Sequence, residues 1–224
     1  MAGLWMTWTL VFLLTGGSAA VDQNQLARLV KGLKDEYRIS GMFSLALSIP
    51  SEDPANLRQI FTDNPKTTVE QTVNGGGVYQ GARLAVAAPQ DRPPVHAERR
   101  VLLNLQLQSN PGDLLVIYSY ASPCNHKCTN INNPYNILGL IGNVINAGNW
   151  GGRVFVFEKV FVPHGPTAIT EAALSASLQA LGRSGIGLAN IFRCFRPNNS
   201  RNFECSSCSS GAGVTRVCVD RNAK

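Results

Sequence analysis

Imidazole is scarce in this chain: its 224 residues include only three histidines, His96, His126 and His164. A site that needs a nitrogen ligand must use one of those positions. Charge is scarce too. Asp, Glu, Lys and Arg make up 15% of the residues against 44% hydrophobic, which excludes an intrinsically disordered chain. Past residue 20 no apolar run is long enough to span a bilayer, so a later membrane crossing is excluded. There is no internal repeat and no low-complexity segment, which excludes solenoid and linker architectures. Basic residues outnumber acidic ones and give a net charge of +6, but they are scattered and form no run. Such a balance suits polyanions such as nucleic acid, or an anionic cell surface, and it equally suits plain solubility.

The length fits one domain with its own core. Residues 1–20 stand apart from the rest. They carry no charge, contain the short apolar run Leu10 to Leu14, and end in Gly16-Gly17-Ser18-Ala19-Ala20. Small residues after a short apolar run read as a cleaved secretory signal peptide rather than an anchor. The expected organisation is a signal peptide at 1–20, a globular domain at 21–192 and a cysteine-rich tail at 193–224. The expected location is extracellular, with no membrane attachment after cleavage.

Six cysteines fall into two groups. Cys194, Cys205, Cys208 and Cys218 lie in the tail, where an even number in a secreted chain implies two disulfides with three possible pairings. A second zinc site around Cys205 and Cys208 is the rival reading, and the tail offers it no histidine. Asn198-Asn199-Ser200 is a glycosylation sequon in the same tail.

Hydrophobic spacing outlines the elements. Leu26, Leu29, Val30, Leu33 and Tyr37 form one stripe, so 24–37 is expected to be helical. Residues 42–49 and 78–88 are strand candidates forming a hairpin, with the polar stretch 51–71 as a loop between them. A helix is expected over 95–108, entered through Pro93-Pro94, with Leu102, Leu103 and Leu105 in the core. Asp113 to Tyr120 is nearly all apolar and reads as a central strand buried on both faces. A helix over 135–147 capped by Asn133-Pro134, a turn at 149–152, a strand over 153–162, a helix over 167–181 and a short strand over 186–192 complete the pattern. The expected fold is α/β: a mixed five-stranded sheet, parallel in its second half, flanked by helices.

The chemistry concentrates in His96-Ala97-Glu98 and Pro123-Cys124 followed by Cys128, an H-x-E…P-C-x₃-C arrangement. His96, Cys124 and Cys128 supply three zinc ligands, the count of a catalytic site that keeps one position for water. Glu98 is not needed as a ligand and is placed to carry protons. Two other readings compete: a closed structural site with His126 as fourth ligand, and a Cys124–Cys128 disulfide. Arg92, Arg99, Arg100 and Lys127 flank the motif and could follow a phosphate backbone, or could simply be solvated.

These residues resemble the zinc-dependent cytidine deaminase superfamily, whose signature has this form. Ser122-Pro123-Cys124 and the parallel late strands look more like its AID/APOBEC branch. The signal peptide and cysteine-rich tail make the chain similar to the secreted novel AID/APOBEC-like deaminases of fish and other vertebrates. The resemblance covers roughly residues 24–192. It implies a cytidine deaminase-like three-layer sandwich, zinc on His96, Cys124 and Cys128, and Glu98 as proton shuttle. It also implies substrate contacts from Ala97, Ser122 and Tyr120, and hydrolytic conversion of cytosine to uracil. Three departures stand out. Ala121 replaces the aromatic residue that usually precedes Ser-Pro-Cys, leaving Tyr120 as the nearest one. The gap between the cysteines is three residues, and 129–134 looks inserted. The loop around His164 lacks the usual aromatic and basic residues.

The expected substrate is single-stranded DNA or RNA. Free cytidine or deoxycytidine is the alternative, and a non-catalytic zinc-stabilised binder of nucleic acid or microbial surfaces is a third reading. The sequence leaves the oligomeric state open.

Overall fold

A computed structural model describes residues 21–50, 54–163, 169–198, 200 and 202–223. The expected signal peptide, His164 and Asn199 of the sequon lie outside the described residues.

Seven strands form one sheet. In chain order they are β1 Ser44–Ile49, β2 Val78–Gln80, β3 Leu84–Ala87, β4 Asp113–Ala121, β5 Trp150–Lys159, β6 Ile191–Phe195 and β7 Glu204–Ser207. Their order across the sheet is β2-β3-β1-β4-β5-β6-β7. β4, β5 and β6 pair in parallel, and every other neighbour pairs antiparallel. The helices are α1 Gln23–Glu36, α2 Pro54–Asp63, α3 Lys66–Asn74, α4 Ala97–Leu102, α5 Leu138–Ala147 and α6 Glu171–Leu181.

Strand alternation sends successive side chains to opposite faces. Leu45, Leu47, Val116, Tyr118 and Val156 join α1, α2 and α3 in one apolar layer. Leu115, Ile117, Phe155 and Phe157 join α4, α5 and α6 in the other. The result is the expected mixed sheet between two helical layers. β4 is buried almost throughout, as its apolar run predicts.

The strand count exceeds the expected five for two reasons. Residues 78–88 break at Gly81 into β2 and β3, because Gly81 N–H turns back to the Leu84 carbonyl at 2.8 Å. The tail also adds β7 to β6, so a boundary at 192 falls inside a strand. The last strand begins at Ile191, not 186, because a π-helical turn and a short 3₁₀ turn occupy 182–190.

Other boundaries move. The stretch 51–71 is not a loop: α2 and α3 occupy most of it and bury Ile60, Val69 and Val73. The helix at 95–108 is shorter, because Asn104 takes φ 60°, a left-handed backbone that asparagine tolerates and a helix cannot contain. Leu103 is accordingly 48% exposed and is not core. α5 starts at Leu138, because Asn133 and Asn136 side chains cap turns at Tyr135 N–H and Leu138 N–H instead of opening a helix at 135. The turn at 149–152 is absorbed into β5, which starts at Trp150 and ends at Lys159. α6 starts at Glu171 with Thr170 as its cap.

The tail carries both disulfides, Cys194–Cys205 and Cys208–Cys218. The first joins cross-strand neighbours of β6 and β7 and packs into the α1-side core; the second lies in the opposite core. The Arg193 guanidinium reaches the carbonyls of Glu158, Val217, Asp220 and Ala223 and pins the chain end to the sheet.

The sheet surface under α4 is built of small residues. Ala46, Ala85 and Ala87 pack against Val101 of α4, and Ala46 sits directly across from Ala85. That floor lets a short helix approach the strands closely. Ala46→Leu would overpack it, and we expect a loss of about 1–3 kcal/mol in urea unfolding together with reduced metal content of the purified protein.

Candidate metal centre

The centre forms where α4 begins and β4 ends. His96 is the N-cap of α4, in extended backbone, and Glu98 falls in the first helical turn. The approach is held by a closed turn in which Gln90 and Val95 exchange backbone hydrogen bonds at 2.9 Å, so the residues after Pro93-Pro94 are extended up to His96. Cys124 and Cys128 lie in the turn just after β4. Its backbone closes through Thr129 N–H to the Cys124 carbonyl at 3.1 Å and Ile137 N–H to the Cys128 carbonyl at 2.9 Å. In open α/β sheets the crevice outside the carboxyl ends of parallel strands is where ligands bind.

His96 Nδ1 lies 3.1 Å from Cys128 Sγ and 3.7 Å from Cys124 Sγ, and the two sulfurs are 3.5 Å apart. Zinc bonds of about 2.0–2.3 Å at tetrahedral angles would separate such ligands by roughly 3.5–3.8 Å. Two of the three separations lie at that spacing and the His96–Cys128 contact is shorter; the donor set suits a metal ion, and His96, Cys124 and Cys128 sit close enough to bind one. Both cysteines are free, which removes the disulfide reading. His126 is exposed and stands outside the cluster, which removes the closed four-ligand reading among the described residues.

The cluster is electrostatically coupled. The hydrogen bonds Cys124 shares with Cys128 and then with His96 push its thiol well below the usual range. The hydrogen bond with Cys124, and then burial, push Cys128 upward. The thiolate beside His96 raises the imidazole above its usual value despite burial, and Lys127 opposes the rise.

Glu98 is 2% exposed, and burial raises its carboxyl above the usual range. Ser119 Oγ donates to Glu98 Oε1 at 3.0 Å. Oε2 is buried with no hydrogen-bond partner, alone in this among the side chains of the described residues. A carboxylate oxygen left bare inside a protein is costly, so it marks a place where another polar group belongs.

The remaining expected residues are placed unequally. Ala97 is fully buried at the start of α4. Ser122 N–H donates to Lys159 O at 2.8 Å and its hydroxyl accepts from Phe161 N–H at 2.9 Å, which ties the Ser-Pro-Cys turn to the end of β5. Tyr120 is half-buried, and strand alternation turns it toward the face of Tyr118, opposite to Ser119. Arg99 reaches the Asn136 carbonyl and lies over the Tyr135 ring, and Arg100 binds the carbonyls of Ala88 and Gly76. Arg92 is exposed.

Three contributors were missed at the sequence level. Ser177 of α6 donates to the Pro123 carbonyl at 2.9 Å and meets the Thr129 hydroxyl at 2.8 Å, bracing the cysteine turn. Ser44 and Ser119 line the wall behind Glu98. Their only sequence signal is that a serine interrupts each of two apolar strands.

Residues 23–222 match the family described as Secreted Novel AID/APOBEC-like Deaminase 1. The chain belongs to that family. No curated protein and no solved structure matches it. Family membership covers the tail as well as the sheet, so β7 and both disulfides lie within the matched span. Among the described residues no helix is long and apolar enough to cross a membrane.

For this member of the AID/APOBEC-like deaminase family we expect about one equivalent of metal per chain, retained on dialysis, with Cys128→Ala losing nearly all of it in elemental analysis. Thiol mapping after unfolding with chelator should alkylate Cys124 and Cys128 and leave Cys194–Cys205 and Cys208–Cys218 linked.

Proposed function

We propose that this protein is a secreted zinc-dependent deaminase that converts cytosine to uracil in single-stranded DNA or RNA. The observation that carries the reading is the bare Oε2 of the buried Glu98 beside a cluster with three protein ligands rather than four. A merely structural zinc site has no use for a buried carboxylate that is not a ligand.

His96, Cys124 and Cys128 would hold the ion. Zinc bound by three ligands supplies a water whose pKa is lowered to about 7. Glu98 does the proton work: Oε2 accepts a proton from the attacking water and delivers it to the departing amine. The exchange balances, since water and cytosine give uracil and ammonia. The fully buried Ala97 and the tied-down Ser122 offer backbone groups next to the ligands for the edge of the base. The donors stand at the carboxyl end of β4, held by the Ser177 brace, so the site is organised before substrate arrives.

Lys127 places positive charge near His96, and the exposed Arg92 stands in the turn between Gln90 and Val95 that leads to it. Together with the net charge of +6, they support a polyanionic substrate. Arg99 and Arg100 support it less, because each binds backbone carbonyls. Ala121, standing where the related branch has an aromatic residue, supports the alternative of free cytidine. The two disulfides suit an oxidising, extracellular setting.

The test is uracil formation by residues 21–224 loaded with zinc, on single-stranded oligodeoxynucleotide, RNA and free cytidine. Glu98→Ala should lower turnover by about 100-fold or more while keeping its metal. Activity on a polynucleotide should fall steeply between about 50 and 200 mM salt, whereas activity on cytidine should not. Zinc-loaded protein that converts none of the three would sink the enzymatic reading.

A further inference from the structure

We propose that Ser119 is the positioning residue for Glu98, and that Ser44 fixes the direction in which the Ser119 hydroxyl donates. This rests on the reading of Glu98 as the proton carrier and deepens it.

Ser44 of β1 and Ser119 of β4 are direct cross-strand partners. Both are completely buried, beneath the start of α4. Ser44 Oγ donates to Ser119 Oγ at 3.2 Å, and Ser119 Oγ donates to Glu98 Oε1 at 3.0 Å. A hydroxyl has one proton. With Ser44 donating into the Ser119 oxygen, the Ser119 proton is directed at the carboxylate. Glu98 Oε1 is thereby occupied and fixed, and Oε2 is the oxygen left without a partner. The carboxylate can then turn only by breaking a buried hydrogen bond, and its free oxygen stays aimed at one place.

The surrounding sequence makes these serines specific. β1 and β4 are otherwise apolar apart from Ser48 and Asp113, and those two have their own assignment: Ser48 Oγ donates to Asp113 Oδ2, which also pairs with Arg83. Each buried serine on this face of β1 thus stands in a hydrogen-bonded chain that ends on a carboxylate, one structural and one at the metal centre. An alanine at 119 would leave both oxygens of Glu98 without a hydrogen bond from a side chain and the carboxyl less firmly held.

The experiment combines infrared spectroscopy with steady-state kinetics on zinc-loaded residues 21–224. The difference between wild type and Glu98→Gln isolates the Glu98 carboxyl band. We expect Ser119→Ala to shift that band and Ser119→Thr, which keeps the hydroxyl, to leave it in place. We expect Ser119→Ala to lower kcat by about 10- to 100-fold with KM and metal content unchanged, and Ser119→Thr to recover most of the loss. Ser44→Ala should cost less, and should add nothing in the Ser119→Ala background, because it acts only through Ser119. An unshifted band, or Ser119→Ala with full kcat, overturns the proposal. A shifted band in a protein whose wild type turns over no substrate supports the placement of Glu98 while removing the deaminase reading.

Discussion

A carboxylate taken out of water sets the terms for this structure. Removing an ion from solvent costs several kcal/mol unless charge and hydrogen bonds replace the lost hydration. Glu98 is 2% exposed, yet it has a hydrogen bond from Ser119 on one oxygen and none on the other. Around it stand an imidazole and two sulfurs within 4.8 Å of one another. A polar group beside the free oxygen would replace the hydration that burial removes. The local architecture follows from bringing that carboxylate and those three donors to one point.

Three features of the fold achieve it. The alanine floor of β1 and β3 admits α4 close to the sheet, so a helix of six residues can be anchored by Val101 and Leu102 and still present its first turn inward. The central, doubly buried β4 ends at the cysteine turn, which gives the sulfurs a rigid base. Ser177 then braces that turn from α6, three elements later in the chain. The tail adds strength elsewhere: its disulfides lie one in each core, and Arg193 ties the tail carbonyls of Val217, Asp220 and Ala223 to the Glu158 carbonyl of β5.

Patterns that depend on local periodicity were legible in the sequence. The stripe Leu26, Leu29, Val30, Leu33 and Tyr37 is buried as its spacing requires, and the apolar run of β4 is the sheet's centre. The H-x-E…P-C-x₃-C spacing named the three donors that come together. Where the stripe is thin the sequence misled: α2 and α3 each bury very few apolar side chains, so 51–71 reads as a loop. Asn104 ends α4 through backbone conformation, which leaves no mark on hydrophobic spacing.

By itself the sequence determined the chemical inventory: a histidine with a glutamate two residues on, two cysteines set apart from four others, and serines set into two otherwise apolar stretches. Those are properties of single residues and short spacings. Only the tertiary structure decided which of them meet. Ser44 and Ser119 are 75 residues apart, and His96 and Cys124 are 28 apart, so their contacts exist only once the sheet is assembled and α4 is docked. The same holds for the pairing of the tail cysteines, for the exclusion of His126 from the cluster, and for the oxygen of Glu98 that is left free. Each is settled by strand register and close packing between distant segments, which no local pattern encodes.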